Sequence, residues 1–122
     1  MQINIKTTNY ELTDAVRSYL EKRLSGLEKF LDESASEARA DVELEHELAQ
    51  QHGLVYRAEV NLNAHGEFYR AEDSGESMNA AIDAVYEEIA RRLRKGKTKH
   101  MNMIRRGGAQ LKEWMRWGTD PY

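Results

Sequence analysis

The sequence predicts a two-layer α+β sandwich of order β-α-β-β-β-α, with two helices on one face of a four-stranded sheet. Two stretches space their apolar residues at three and four, as one face of a helix requires. Four segments, the last of them short and less regular, alternate apolar with polar residues, as strands with one buried face do. A helix separates the first strand from the second, which favours a parallel pair with a right-handed crossover. The remaining neighbours are hairpins and therefore antiparallel.

Taken in order, residues 2–6 place Ile3 and Ile5 on one face and Asn4 and Lys6 on the other. After the turn-forming Thr7, Thr8 and Asn9, Thr13 is the predicted N-cap of a helix with Asp14 in its first turn. Val16, Leu20, Leu24, Leu27 and Leu31 form its buried stripe. Gly26 weakens that helix by roughly 1 kcal/mol relative to Ala, and nothing in the local sequence explains it. Residues 32–37 read as a polar linker. The period then falls to two: Ala40, Val42, Leu44, His46 and Leu48 face inward, against an outward row of Asp41, Glu43, Glu45 and Glu47. Residues 50–53 turn the chain. Tyr56, Ala58, Val60, Leu62 and Ala64 form the inner face of the next strand, with Arg57, Glu59, Asn61 and Asn63 outside. A hairpin at residues 64–66 leads to a fourth strand over 67–73, in which Tyr69 and Ala71 share a face. With Asp41, Glu43, Glu45, Glu47 and Glu59 outside, the exposed sheet face is expected to repel phosphate. Ser77 is the preferred cap of the second helix, whose stripe is Met78, Ala81, Ile82, Val85, Ile89 and Leu93.

Charge is divided along the chain. Residues 1–90 hold 8 Lys/Arg against 19 Asp/Glu, whereas residues 91–122 hold 10 against 2, so a net charge of −3 conceals segments of −11 and +8. From Arg91 to Arg106 there are eight cations and no acid: Arg91, Arg92, Arg94, Lys95, Lys97, Lys99, Arg105 and Arg106. Two or three such charges would only complement the negative end of a helix dipole. Eight on a helix anchored by an apolar stripe point to a polyanion, of which RNA is the commonest. Arg17, Lys22, Arg23 and Lys29 lie off the stripe of the first helix among Glu21 and Glu28, where a solvated surface and an RNA contact are both open readings.

Several segments together resemble a known family. Met1-Gln2-Ile3-Asn4-Ile5, Leu12-Thr13-Asp14-Ala15-Val16-Arg17, Leu27-Glu28-Lys29 and Met78-Asn79-Ala80-Ala81-Ile82-Asp83, followed by Ile89, Arg91, Leu93, Lys95 and Lys99, resemble the ribosome hibernation promoting factors, the family that includes the ribosome-associated inhibitor of bacteria. The likeness runs through residues 1–100 in order. It implies a β-α-β-β-β-α domain that binds the small ribosomal subunit at the decoding centre, occupies the path of messenger and transfer RNA, and inhibits translation. On that likeness Arg91 and Lys95 match recurring basic positions, and Arg17, Arg23 and Lys29 match basic positions on the first helix. Lys22, Arg92, Arg94, Lys97 and Lys99 join the candidate rRNA-binding set from the charge run itself. The acidic second strand departs from the family pattern. No second domain of the kind that pairs two ribosomes in long members is present, so ribosome dimerisation by this chain alone is not expected.

Residues 1–100 are thus read as the ribosome-binding domain and 101–122 as a basic extension. There Leu111, Trp114 and Met115 fall on one face of a short segment with Trp117 beyond it. So short a helix needs a surface to dock on: its own domain, a second copy, or the ribosome. The alternative function is a protein-interaction module acting through this Trp-containing tail. The absence of cysteine excludes disulfides and thiolate chemistry. His46, His52, His65 and His100 have no metal-ligand spacing, and there is no Gly-rich phosphate loop or nucleophile elbow. No catalysis, cofactor, metal or small-molecule substrate is expected. Without a membrane-length apolar run or a signal-peptide pattern, the expected location is the cytoplasm.

Overall fold

The computed structural model describes residues 1–31, 36–48, 55–64 and 66–106, with side chains described as far as residue 96. Its elements are β1 (Gln2–Thr8), α1 (Asp14–Ser25), a 3₁₀ turn (Gly26–Phe30), β2 (Arg39–His46), β3 (Tyr56–Ala64), β4 (Glu67–Gly75) and α2 (Met78–Arg106). The four strands form one sheet in sequence order. β1 pairs parallel with β2 because α1 lies between them; β2–β3 and β3–β4 are antiparallel. The predicted order and pairing are those observed.

Both helices form where their caps and stripes require. The Thr13 side-chain oxygen accepts from the Val16 amide at 3.2 Å, and that of Ser77 accepts from the Ala80 amide at 3.1 Å. Leu20, Leu24, Leu27 and Leu31 are fully buried against Ala40, Val42 and Leu44 of β2, Val60 and Leu62 of β3, and Ile82, Val85 and Ile89 of α2. Each of the leucine, isoleucine and valine side chains contributes about 1.5–3 kcal/mol through its burial. A small side chain is required where β4 passes into α2: a Cβ on Gly75 would lie 2.7 Å from the Ala81 nitrogen.

Four expectations are corrected. Thr7 and Thr8, expected in a turn, extend β1 and pair with Leu44 and Glu45 of β2. The first helix does not run unbroken to Leu31, because its α-helical part ends at Ser25 and a 3₁₀ turn carries the stripe onward. Gly26 begins that turn beside Tyr86 of α2, whose hydroxyl would sit 3.2 Å from a Cβ there. The glycine thus permits a close approach to a residue sixty positions away. Leu48 is not on the inner row: β2 ends at His46, and Leu48 is 64% exposed. The fourth strand is longer than its alternation suggests, reaching Gly75 in full register with β3. His46, expected inward, is half-buried and stacks on Tyr56 with ring centroids 4.8 Å apart. The turn at 50–53, His65 and the tail from 107 lie outside the described residues.

Candidate nucleic-acid interface

α1, its 3₁₀ turn and α2 cover the same face of the sheet, and among their described basic residues Lys29 of the turn and Arg94 of α2 approach one ring. The local environments of the basic residues sort them into three groups.

The first group is engaged by the protein's own acids. Arg23 reaches across the helix pair, with Nε 3.0 Å from Asp83 and a terminal nitrogen 3.7 Å from Glu87, while its guanidinium lies 4.3 Å from the Tyr86 ring centroid. The Tyr19 hydroxyl donates to the same Asp83 oxygen. Burial opposes charge on Asp83, but the hydrogen bonds from Tyr19 and Arg23 outweigh it and hold this carboxyl below the usual range. Arg92 pairs with Glu88 at 3.1 Å and donates to the Arg70 carbonyl on β4. Arg17 makes only a 3.9 Å pair with Glu21, both exposed, which is a weak surface contact. Arg23 and Arg92, candidates for RNA contact, are thus each held in ion pairs across or along the helices while remaining partly exposed.

The second group converges on one aromatic ring. Lys29 Nζ lies 5.1 Å from the Phe30 centroid, and the Arg94 guanidinium lies 5.8 Å from the same centroid. The third group, Lys22, Arg91 and Lys95, is exposed, and among the described residues their side chains make no hydrogen bond or ion pair. Lys97 and Lys99 continue α2, and their side chains lie outside the described residues. Arg91 and Arg94 also line a hollow of about 350 Å³ with Asp73, Ala84, Glu87 and Glu88. There, burial and a hydrogen bond with Glu88 push Asp73 up to about 6, while its Oδ2 has no hydrogen-bond partner.

The outer sheet face is not the open acidic row that β2 alone suggests. Arg57 is only 14% exposed and stands among Glu43 and Glu45 at 2.7 Å, Glu59 at 3.1 Å and Glu72 at 3.4 Å. Arg70 pairs with Glu59 and Glu72, and Arg39 pairs with Asp41. Cross-strand pairing offsets part of the row's charge, but three arginines against five carboxylates leave the paired residues net negative, the sign that repels phosphate. Among the described residues, no group of three or more His, Asp or Glu side chains is placed to hold a metal ion.

The family model for sigma 54 modulation protein / S30EA ribosomal protein matches residues 3–101. The chain belongs to the S30EA family. Two similar S30EA relatives are the ribosome hibernation promotion factors of Lactococcus lactis subsp. cremoris and Deinococcus radiodurans. They are each 34% identical, over 99 and 108 residues, or 81% and 88% of this chain. Those matches cover 51% and 55% of the relatives, so the chain spans about half their length. The ribosome hibernation promoting factor of Klebsiella oxytoca is 31% identical over 99 residues, and 96% of it is covered. The crystal structure of the Thermus thermophilus Protein Y N-terminal domain matches with a TM-score of 0.65 and 31% identity, covering 78% of this chain and 98% of that one. Within the S30EA fold, sequence reasoning puts Arg57 on the outer face without its four partners and misses Phe30 and the Asp73–Glu88 pair. Phe30 had one visible signal: it is a large apolar residue placed off the leucine stripe and next to Lys29.

Proposed function

We propose that this protein is a non-catalytic ribosome hibernation factor. It binds rRNA of the small subunit at the decoding centre, excludes messenger and transfer RNA by occupying their path, and so inhibits translation in the cytoplasm. The observation that carries the reading is the acid-free run of eight cations from Arg91 to Arg106 on a helix whose other end is fixed in the core. Lys29 and the exposed Lys22 extend that charge onto the neighbouring helix and turn. Membership of the S30EA family, with relatives named for ribosome hibernation, supports the same conclusion. Contact rests chiefly on Lys22, Lys29, Arg91, Arg94, Lys95, Lys97 and Lys99. Phosphate neutralisation provides affinity, and the shape of the two-layer domain sets position.

Binding to purified small subunits, measured at constant magnesium, tests this directly. About five to seven phosphate contacts predict a roughly 10²- to 10³-fold loss of affinity between about 50 and 200 mM salt. Arg91→Glu with Lys95→Glu should weaken binding by at least about a hundredfold without changing the circular dichroism spectrum, because two exposed attractive contacts become repulsive. Added transfer RNA should compete. Undiminished co-sedimentation of the double variant, or indifference to transfer RNA, would refute the proposed site.

A further inference from the structure

Phe30 occupies an unusual position for a large aromatic side chain. Leu27 and Leu31 on either side of it are fully buried, whereas Phe30 packs only at the edge of the core and keeps part of its ring in solvent. The break from α-helix to 3₁₀ turn at Gly26 carries Lys29 and Phe30 beside α2, where Arg94 approaches from a different element. Exposed cations from two parts of the chain thus flank one partly open aromatic ring.

The neighbouring Tyr86 shows how different a closed arrangement is. It is 7% exposed, and Arg23 covers it at 4.3 Å while held by Asp83 and Glu87. At Phe30 the cations stand farther off, at 5.1 and 5.8 Å, and both side chains are exposed. Cation–π contacts at such exposed sites are weak enough for a phosphate to displace them. An aromatic face with two cations beside it matches the chemistry of one unpaired nucleotide, with its base on the ring and its flanking phosphates on the ammonium and guanidinium. A duplex does not fit this arrangement, since its base faces are already stacked.

We infer that Phe30 is a stacking platform for an unpaired RNA base, with Lys29 and Arg94 gripping the phosphates on either side. This rests on the ribosome-binding reading and adds a contact that is independent of charge. Stacking tolerates any base, so the platform selects a bulged or looped nucleotide without selecting its identity.

The test measures the affinity of the full chain for small ribosomal subunits as a function of salt, with thermal unfolding followed in parallel. Phe30→Leu keeps an apolar side chain and removes the π-face. It should lose roughly 5- to 100-fold in affinity, the range for one stacked base, with an unchanged salt slope. Phe30→Trp should bind at least as tightly as wild type. Lys29→Gln and Arg94→Gln should instead each reduce the salt slope by about one phosphate contact. Wild-type affinity in Phe30→Leu would overturn the inference while leaving the ribosome reading intact. An equal loss in Phe30→Trp, or a loss accompanied by a changed slope, would also overturn it. Failure of the wild-type protein to bind subunits at all would remove both.

Discussion

Asp73 points toward the helix layer from β4, beside Glu88 of α2, and two carboxyls so placed do not both ionise freely. Burial and the Glu88 contact push it up to about 6, so the folded state binds a proton more tightly than the unfolded chain does. Stability from this group is therefore fully present below the unfolded value near 4 and lost as pH rises through about 6. Asp73→Asn should raise the melting temperature by several degrees at pH 7.5 and leave it nearly unchanged at pH 4, read by calorimetry at both pH values. Equal shifts at the two values would exclude this proton linkage. Neither this pair nor the ion pair of Arg23 is visible along the sequence. Asp73 and Glu88 meet only when α2 lies on β4, and Arg23 finds Asp83 only when the helices pack side by side.

Within the sheet, Arg57 holds together a face that would otherwise repel itself. Its guanidinium touches four carboxylates supplied by β2, β3 and β4. Removing a mostly buried cation from such a cage leaves charges without a partner. Arg57→Ala should cost about 3 kcal/mol at neutral pH, measured by urea unfolding. Glu43 is held below the usual carboxylate range by its hydrogen bonds from Thr8 and then Arg57. Glu59 is lowered by Asn61 and, against the cost of burial, by Arg57. Their stabilisation is present above the unfolded value near 4.3 and disappears as pH falls through the folded values. The cost of Arg57→Ala should accordingly shrink toward pH 3; a cost independent of pH would mean that lost packing, not charge, is responsible. The elements themselves were readable: stripes of leucine and isoleucine, two-residue alternation, and Thr13 and Ser77 at the helix starts all act over a few residues. The 3₁₀ turn was not, because the reason for Gly26 is Tyr86 on another helix. Arg57 was placed on the outer face, but its partners follow from a register that no single strand encodes.

On the proposed function, the whole molecule divides its charged residues between holding itself together and meeting the ribosome. A count along the sequence locates the cations but not their partners: Arg23 of α1 and Arg92 of α2 are each paired with acids of α2. Asp83 is the point where the two uses exchange, accepting from both Arg23 and Tyr19. Asp83→Asn should lower stability by about 1 kcal/mol, the scale of a partly exposed ion pair, and tighten subunit binding severalfold. Thermal unfolding alongside subunit affinity reads both effects, and a variant with weaker binding would contradict the exchange. One carboxylate then serves as a dial between durability and grip, so related chains could drift toward stronger or weaker hold on the same target through this single position, with the backbone left as it is.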